Sequence, residues 1–106
     1  MIMLKKDERF ITYLKMTINN VFKILPLYEE ENAGLPRYIE SLHFELKSLE
    51  EIFDVGDAYE YIALLNTLKS LNTEVLKNDS EKHVVKREVF KCINLVKNLI
   101  GKNQGD

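Results

Sequence analysis

"LPLYEEENAGLPRYIESL", Leu25 to Leu42, sets two prolines, three consecutive glutamates and an Asn-Ala-Gly between two stretches with helical spacing. Pro26 has no amide hydrogen to offer a helix interior, so the helix arriving from upstream either stops before it or kinks there, with Leu27 and Tyr28 continuing the stripe. Glu29, Glu30 and Glu31 at a helix C-terminus oppose the macrodipole and belong to a loose or fraying turn. Gly34 is expected to supply a left-handed stop, and Pro36 to begin the next helix as its first residue, where a missing donor costs nothing. The corner therefore joins two helices, and the rest of the chain can be read outward from it.

Upstream, Phe10, Ile11, Leu14, Ile18, Val21, Phe22 and Leu25 recur at three and four and predict a first helix. Downstream, Leu35, Ile39, Leu42, Leu46, Leu49 and Phe53 form a heptad-like seam suited to shallow helix packing. Asp54-Val55-Gly56-Asp57 ends that second helix, and Asp57 with Glu60 three residues on reads as a capping box opening a third. The third carries Tyr61, Leu64, Leu65, Leu68, Leu71 and Val75 on its apolar face and closes at Asn78-Asp79-Ser80. Ser80 is the expected N-cap of a fourth helix, whose buried side is Val85, Val89, Cys92, Ile93, Val96, Leu99 and Ile100 and whose stop is Gly101. No segment alternates as a strand does. The expectation is an all-α, single-domain antiparallel four-helix bundle, up-down-up-down, over residues 1–101, followed by a disordered tail, 102–106.

With 106 residues, Gly 4 and Pro 2, the chain has room for one core and few sharp corners. Its apolar runs are far shorter than the roughly 20 residues a bilayer requires. The start, Met1-Ile2-Met3-Leu4 before Lys5 and Lys6, reverses the order of a secretory signal, and Cys92 is the only cysteine. A cytoplasmic protein with no membrane partner follows as the expectation.

Reactive chemistry is sparse. Glu40-Ser41-Leu42-His43 has the Glu-x-x-His spacing of bundle di-iron sites, but His83, the only other histidine, follows Ser80 at that spacing, so the second copy is missing. Cys92 lies on an inward stripe, where a thiol behaves as a small hydrophobe. There is no Gly-rich phosphate loop and no Ser-His-Asp set. No catalytic residue, cofactor, metal or small-molecule substrate is assigned, and the expected class is non-enzymatic.

Charge is the more informative signal. Residues 29 to 60 hold ten acids against Arg37 and Lys47, whereas residues 82 to 102 hold Lys82, Lys86, Arg87, Lys91, Lys97 and Lys102 against Glu88 alone. A net charge of −2 thus conceals two poles. These poles serve either as solvated faces that attract one another or as steering surfaces. Several apolar residues, including Tyr13, Met16, Tyr38, Phe44, Tyr59 and Phe90, lie off the helical stripes.

The leading site is an acidic, tyrosine-bearing partner surface built from Glu29, Glu30, Glu31, Tyr38, Phe44, Tyr59 and Tyr61, serving self-association, a homodimer included, or the binding and neutralising of another protein as an adaptor, regulatory or immunity-type protein. The alternative is a nucleic-acid accessory role through Lys82, Lys86, Arg87 and Lys91, disfavoured because the chain is not basic overall and lacks an aromatic platform. In size and helical pattern the chain resembles many small cytoplasmic helical proteins of bacteria and their phages, bacteriocin immunity proteins among them, by shape alone.

Overall fold

Apolar residues spaced at three and four give helices throughout the computed structural model, which describes residues 8–103. They are α1 (Glu8–Phe22), α2 (Ile24–Glu29), α3 (Leu35–Phe53), α4 (Tyr59–Val75) and α5 (Lys82–Asn103), and no strand occurs among the described residues. Residues 1–7, with the Lys5-Lys6 pair, and residues 104–106 of the expected tail lie outside them.

Helices α1 and α2 form one helical stretch divided at Lys23, which keeps right-handed angles (φ −64°, ψ −17°). The division sits where Pro26 can donate nothing to the Phe22 carbonyl four residues back and its ring crowds that oxygen. The chain accommodates Pro26 and runs on as helix to Glu29. There the glutamate triplet finds its structural role. The Asn32 amide donates to the Leu27 carbonyl (3.0 Å) and the Glu31 amide to the Tyr28 carbonyl (3.0 Å). These are the paired bonds of a Schellman stop, and its left-handed position is held by Glu31, with φ 54°. Gly34, expected to make this stop, has φ −85° and is the N-cap of α3 instead; Pro36 is the second residue of α3, not the first. The Gly34 amide donates to Asn32 Oδ1 at 2.8 Å.

Asp54, at φ 53°, closes α3 within the Asp54-Val55-Gly56-Asp57 stretch expected to end it. Other boundaries differ from expectation. Helix α4 begins at Tyr59 behind Ala58, a cap position with no side-chain hydrogen bond, so the Asp57–Glu60 capping box does not form. Glu60 turns instead to Lys102 Nζ, at 2.8 Å. Ser80 lies two residues before α5 and its Oγ pairs with the Tyr28 hydroxyl at 2.8 Å. Helix α5 passes through Gly101 and reaches Asn103, so Gly101 is no stop and the first residues of the expected tail are helical.

The core gathers the expected stripes: Leu14 and Val21 from α1, Ile39 and Leu46 from α3, Leu64, Leu68 and Leu71 from α4, and Val85, Val89, Cys92 and Val96 from α5. Two threonines join it, Thr17 and Thr67, each donating its hydroxyl to the carbonyl four residues earlier, of Tyr13 (2.8 Å) and Ala63 (2.7 Å). That bond satisfies the polar atom and lets the methyl group pack. Helix α5 lies against both α1 and α4, and α4 also against α3; the α1/α3 contact is the thinnest of these. None of the described helices is long and apolar enough to cross a membrane.

Candidate functional site

Helices α1 and α3 meet along a seam that is closed at its ends and open at its middle. At one end the Phe10 and Phe53 rings lie 4.9 Å apart, Tyr13 approaches Phe53 at 6.2 Å, and the Arg9 guanidinium sits 5.6 Å over the Phe53 ring. These ring and cation contacts combine apolar burial with the attraction of a cation for a π face. At the other end the Tyr38 hydroxyl donates to the Asn20 carbonyl at 2.7 Å. Burial, helped by Glu45, raises the Tyr38 hydroxyl above its ordinary pKa.

Between these ends lies a groove of about 290 Å³ bordered by Tyr13, Met16 and Asn20 of α1 and by Phe44, Glu45 and Leu49 of α3. At 100° per residue, Phe44 stands about 200° around the helix from the buried Leu42, so no neighbouring element covers it. Its side chain is 72% exposed, and Met16 across the groove is 52% exposed. A phenyl ring so placed keeps most of its apolar surface in water, a cost that contact with a partner would relieve.

Phe44 also borders a second groove, of about 540 Å³, between α3 and α4, with Glu40, His43, Lys47, Lys69 and Leu76. Partial burial, together with Lys69 and Lys47, lowers the His43 pKa and favours the neutral imidazole. Among the described residues no group of three or more His, Cys, Asp or Glu side chains is placed to hold a metal ion.

The seven residues expected to form one partner surface are not brought together. Glu29 to Glu31 precede α3 and Tyr59 follows it; the 19 residues of α3 separate them by about 28 Å. Tyr59 is well exposed, whereas Tyr61 is wholly buried and donates its hydroxyl to the Leu46 carbonyl. Tyr61 is therefore a core residue, and the proposed surface must be redrawn without it. Tyr38 is half-buried as the seam's end bond. Glu29 is tied to Lys82 at 2.8 Å; this pairing holds the carboxyl below its usual range and raises the lysine. Glu30 and Glu31 are exposed, and Glu31 borders a cleft of about 760 Å³ with Tyr28, Asn32, Ser80 and Lys82.

The alternative basic set is dispersed as well. Lys82 faces Glu29, and Arg87 Nε lies 3.3 Å from Glu88 Oε2. Lys86 and Lys91, five residues apart, point about 140° away from each other. The α5 cations thus spread around its solvent side instead of lining one track.

Met16 and Phe44 are both recognisable from the sequence as residues off their stripes, but only the packing of α1 beside α3 sets them on one groove. The chain matches no protein-family model, no curated protein and no solved structure.

Proposed function

We propose that this is a non-enzymatic cytoplasmic protein that works through protein contacts, and that its contact surface is the open α1/α3 seam centred on Phe44. The observation that carries this reading is the 72% exposed Phe44 ring at the rim of a groove that Tyr13, Met16 and Leu49 also border. Aromatic residues and methionine are the types enriched where proteins meet.

The arrangement proposed for the helices is up-down-up-down, with a bend between α1 and α2. Support comes from pairs of residues at known positions in each helix. Phe10 near the start of α1 meets Phe53 at the end of α3, and Asn20 near the end of α1 meets Tyr38 near the start of α3. Glu60 at the start of α4 meets Lys102 at the end of α5. Neighbours in opposite directions, joined by short turns, give this topology. The cytoplasmic assignment is supported by a single, buried cysteine.

The test is capture from an extract of the native host with the chain as bait. Phe44→Ser, with helical circular dichroism unchanged, is expected to lose the protein that the parent chain retains, while Lys86→Glu combined with Arg87→Glu keeps it. Retention of nucleic acid at low salt that vanishes with the two α5 substitutions, alongside capture indifferent to Phe44, would transfer the function to α5.

A further inference from the structure

We propose that residues 24–34, α2 and the turn after it, form a salt-sensitive strap that lifts as one unit off the α4–α5 corner, with the Tyr28–Ser80 and Glu29–Lys82 pairs as its latch. The strap borders the cleft of about 760 Å³ whose far wall is Val75, Asn78, Ser80 and Lys82. Both of its ends are pinned. Just upstream, the Phe22 and Phe90 rings meet edge to face at 5.9 Å, and Val21 is fully buried. Just downstream, Leu35 is buried and the Tyr38 hydroxyl holds the Asn20 carbonyl.

Between the pins the hold is slight. Lys23 is the hinge: Pro26 leaves the Phe22 carbonyl without its helical donor. The bonds beside it, from the Lys23 amide to the Asn19 carbonyl and from the Leu27 amide to the Lys23 carbonyl, are both 3.3 Å, longer than a usual backbone bond. Ile24, next to the hinge, is the side chain that α2 buries fully; Leu27 and Tyr28 are half-buried, and residues 29–34 are exposed. Glu31 stays in the left-handed region only while the fold around it holds the turn.

Two side-chain ties supply that hold. The Tyr28 hydroxyl pairs with Ser80 Oγ at 2.8 Å, and Glu29 with Lys82 at 2.8 Å. The two residues are consecutive on the strap and their partners lie two apart on the corner, so the ties form and break together. The corner is the fixed side, because the Glu74 carboxylate accepts the Glu81 amide at 3.0 Å and pairs with Lys77 at 3.2 Å. Segments with few buried contacts open at lower free energy than the core. Here closure rests on one neutral hydrogen bond and one ion pair that solvent reaches and salt screens. Lifting the strap gives water access to Leu27 and Val75, which line the cleft.

Amide exchange followed residue by residue in the whole chain tests the strap. The Leu27, Glu30 and Asn32 amides, bonded to the Lys23, Pro26 and Leu27 carbonyls, report its opening. Tyr28→Phe and Ser80→Ala are each expected to speed these amides about fivefold, the factor one neutral hydrogen bond contributes, and the double variant no more than either single one. Salt raised to about 1 M is expected to speed them in the parent chain but not in Glu29→Gln. The Leu64 and Val89 amides of the core should keep their rates throughout. Strap amides indifferent to both latch substitutions, or a double variant that multiplies the two single effects, would overturn the inference. So would salt acting equally on the parent chain and Glu29→Gln, or an acceleration that Leu64 and Val89 share in full.

Discussion

A tyrosine with no exposure must satisfy its hydroxyl inside the protein, and Tyr61 does so by donating to the Leu46 carbonyl. Tyr61→Phe keeps the ring and removes the donor, and is expected to cost about 1 kcal/mol, read as a lower urea midpoint with an unchanged slope. Burial raises the Tyr61 hydroxyl above its ordinary value of 10.0, and pushes the Cys92 thiol from 9.0 up to about 12. Both groups are neutral when protonated, so the folded state holds its protons at a pH where the unfolded chain releases them. Their contribution is therefore complete below pH 9 and declines as pH rises from 9 toward 12. Denaturation at stepped pH should show that decline, and Cys92→Ala should make it shallower. Tyr61 also shows what a single position discloses. Its three-and-four spacing with Leu64, Leu68 and Leu71 already placed it in the core, whereas its acidic neighbours drew it to the surface. Burial obeys the spacing because the hydroxyl found a carbonyl within reach.

Helix stops tell a different story at the scale of the element. Among the described residues the left-handed positions are held by Glu31 and Asp54, while Gly34 opens α3 and Gly101 lies within α5. Two of the expected stops, Gly34 and Gly101, rest on glycine's entering the left-handed region without strain. Which residue takes that position, however, depends on where the chain must turn to reach its next packing partner. A helix carried past Pro26 to Glu29 leaves Glu31 at the position to be strained. The helices are legible from periodicity, and their ends only in part: α3 stops at Asp54 as the turn residues imply, whereas the stop before Gly34, the start of α4 and the run of α5 through Gly101 do not follow the local signals. Two substitutions exploit this. Glu31→Gly relieves the positive φ and removes a negative charge from a helix C-terminus, and is expected to stabilise by up to about 1 kcal/mol. Gly101→Ala, with nothing within 4 Å of the added methyl group, is expected to stabilise α5 by about 0.5 to 1 kcal/mol. Thermal melts should show rises of a few degrees for each; a fall for Glu31→Gly would mean that the glutamate side chain makes a contact worth more than its strain.

Across the whole molecule, the two charge poles visible in the sequence are partly spent on each other. Glu29 with Lys82 and Glu60 with Lys102 each join the acidic stretch to the basic helix, one pair at either end of α5. Both pairs are exposed at the lysine, so solvent screens them and each orients more than it stabilises. Stability must come from the apolar interior, and that interior is uneven. Helices α4 and α5 share the most extensive contact, whereas α1 and α3 touch mainly at the ends of their seam. Segments with fewer buried contacts open at lower free energy than those with more. Native-state hydrogen exchange should therefore find the slowest amides around Leu64 and Leu68 in α4 and Val89, Cys92 and Val96 in α5, all with little or no exposure. Amides of α2, short and bounded by Lys23 and the Glu31 stop, should exchange fastest among the helices. Those of α3 should fall between, because one face rests on α4 and the other borders the open groove. Uniform protection across all helices at low concentration would show that the seam is no weaker than the rest of the core.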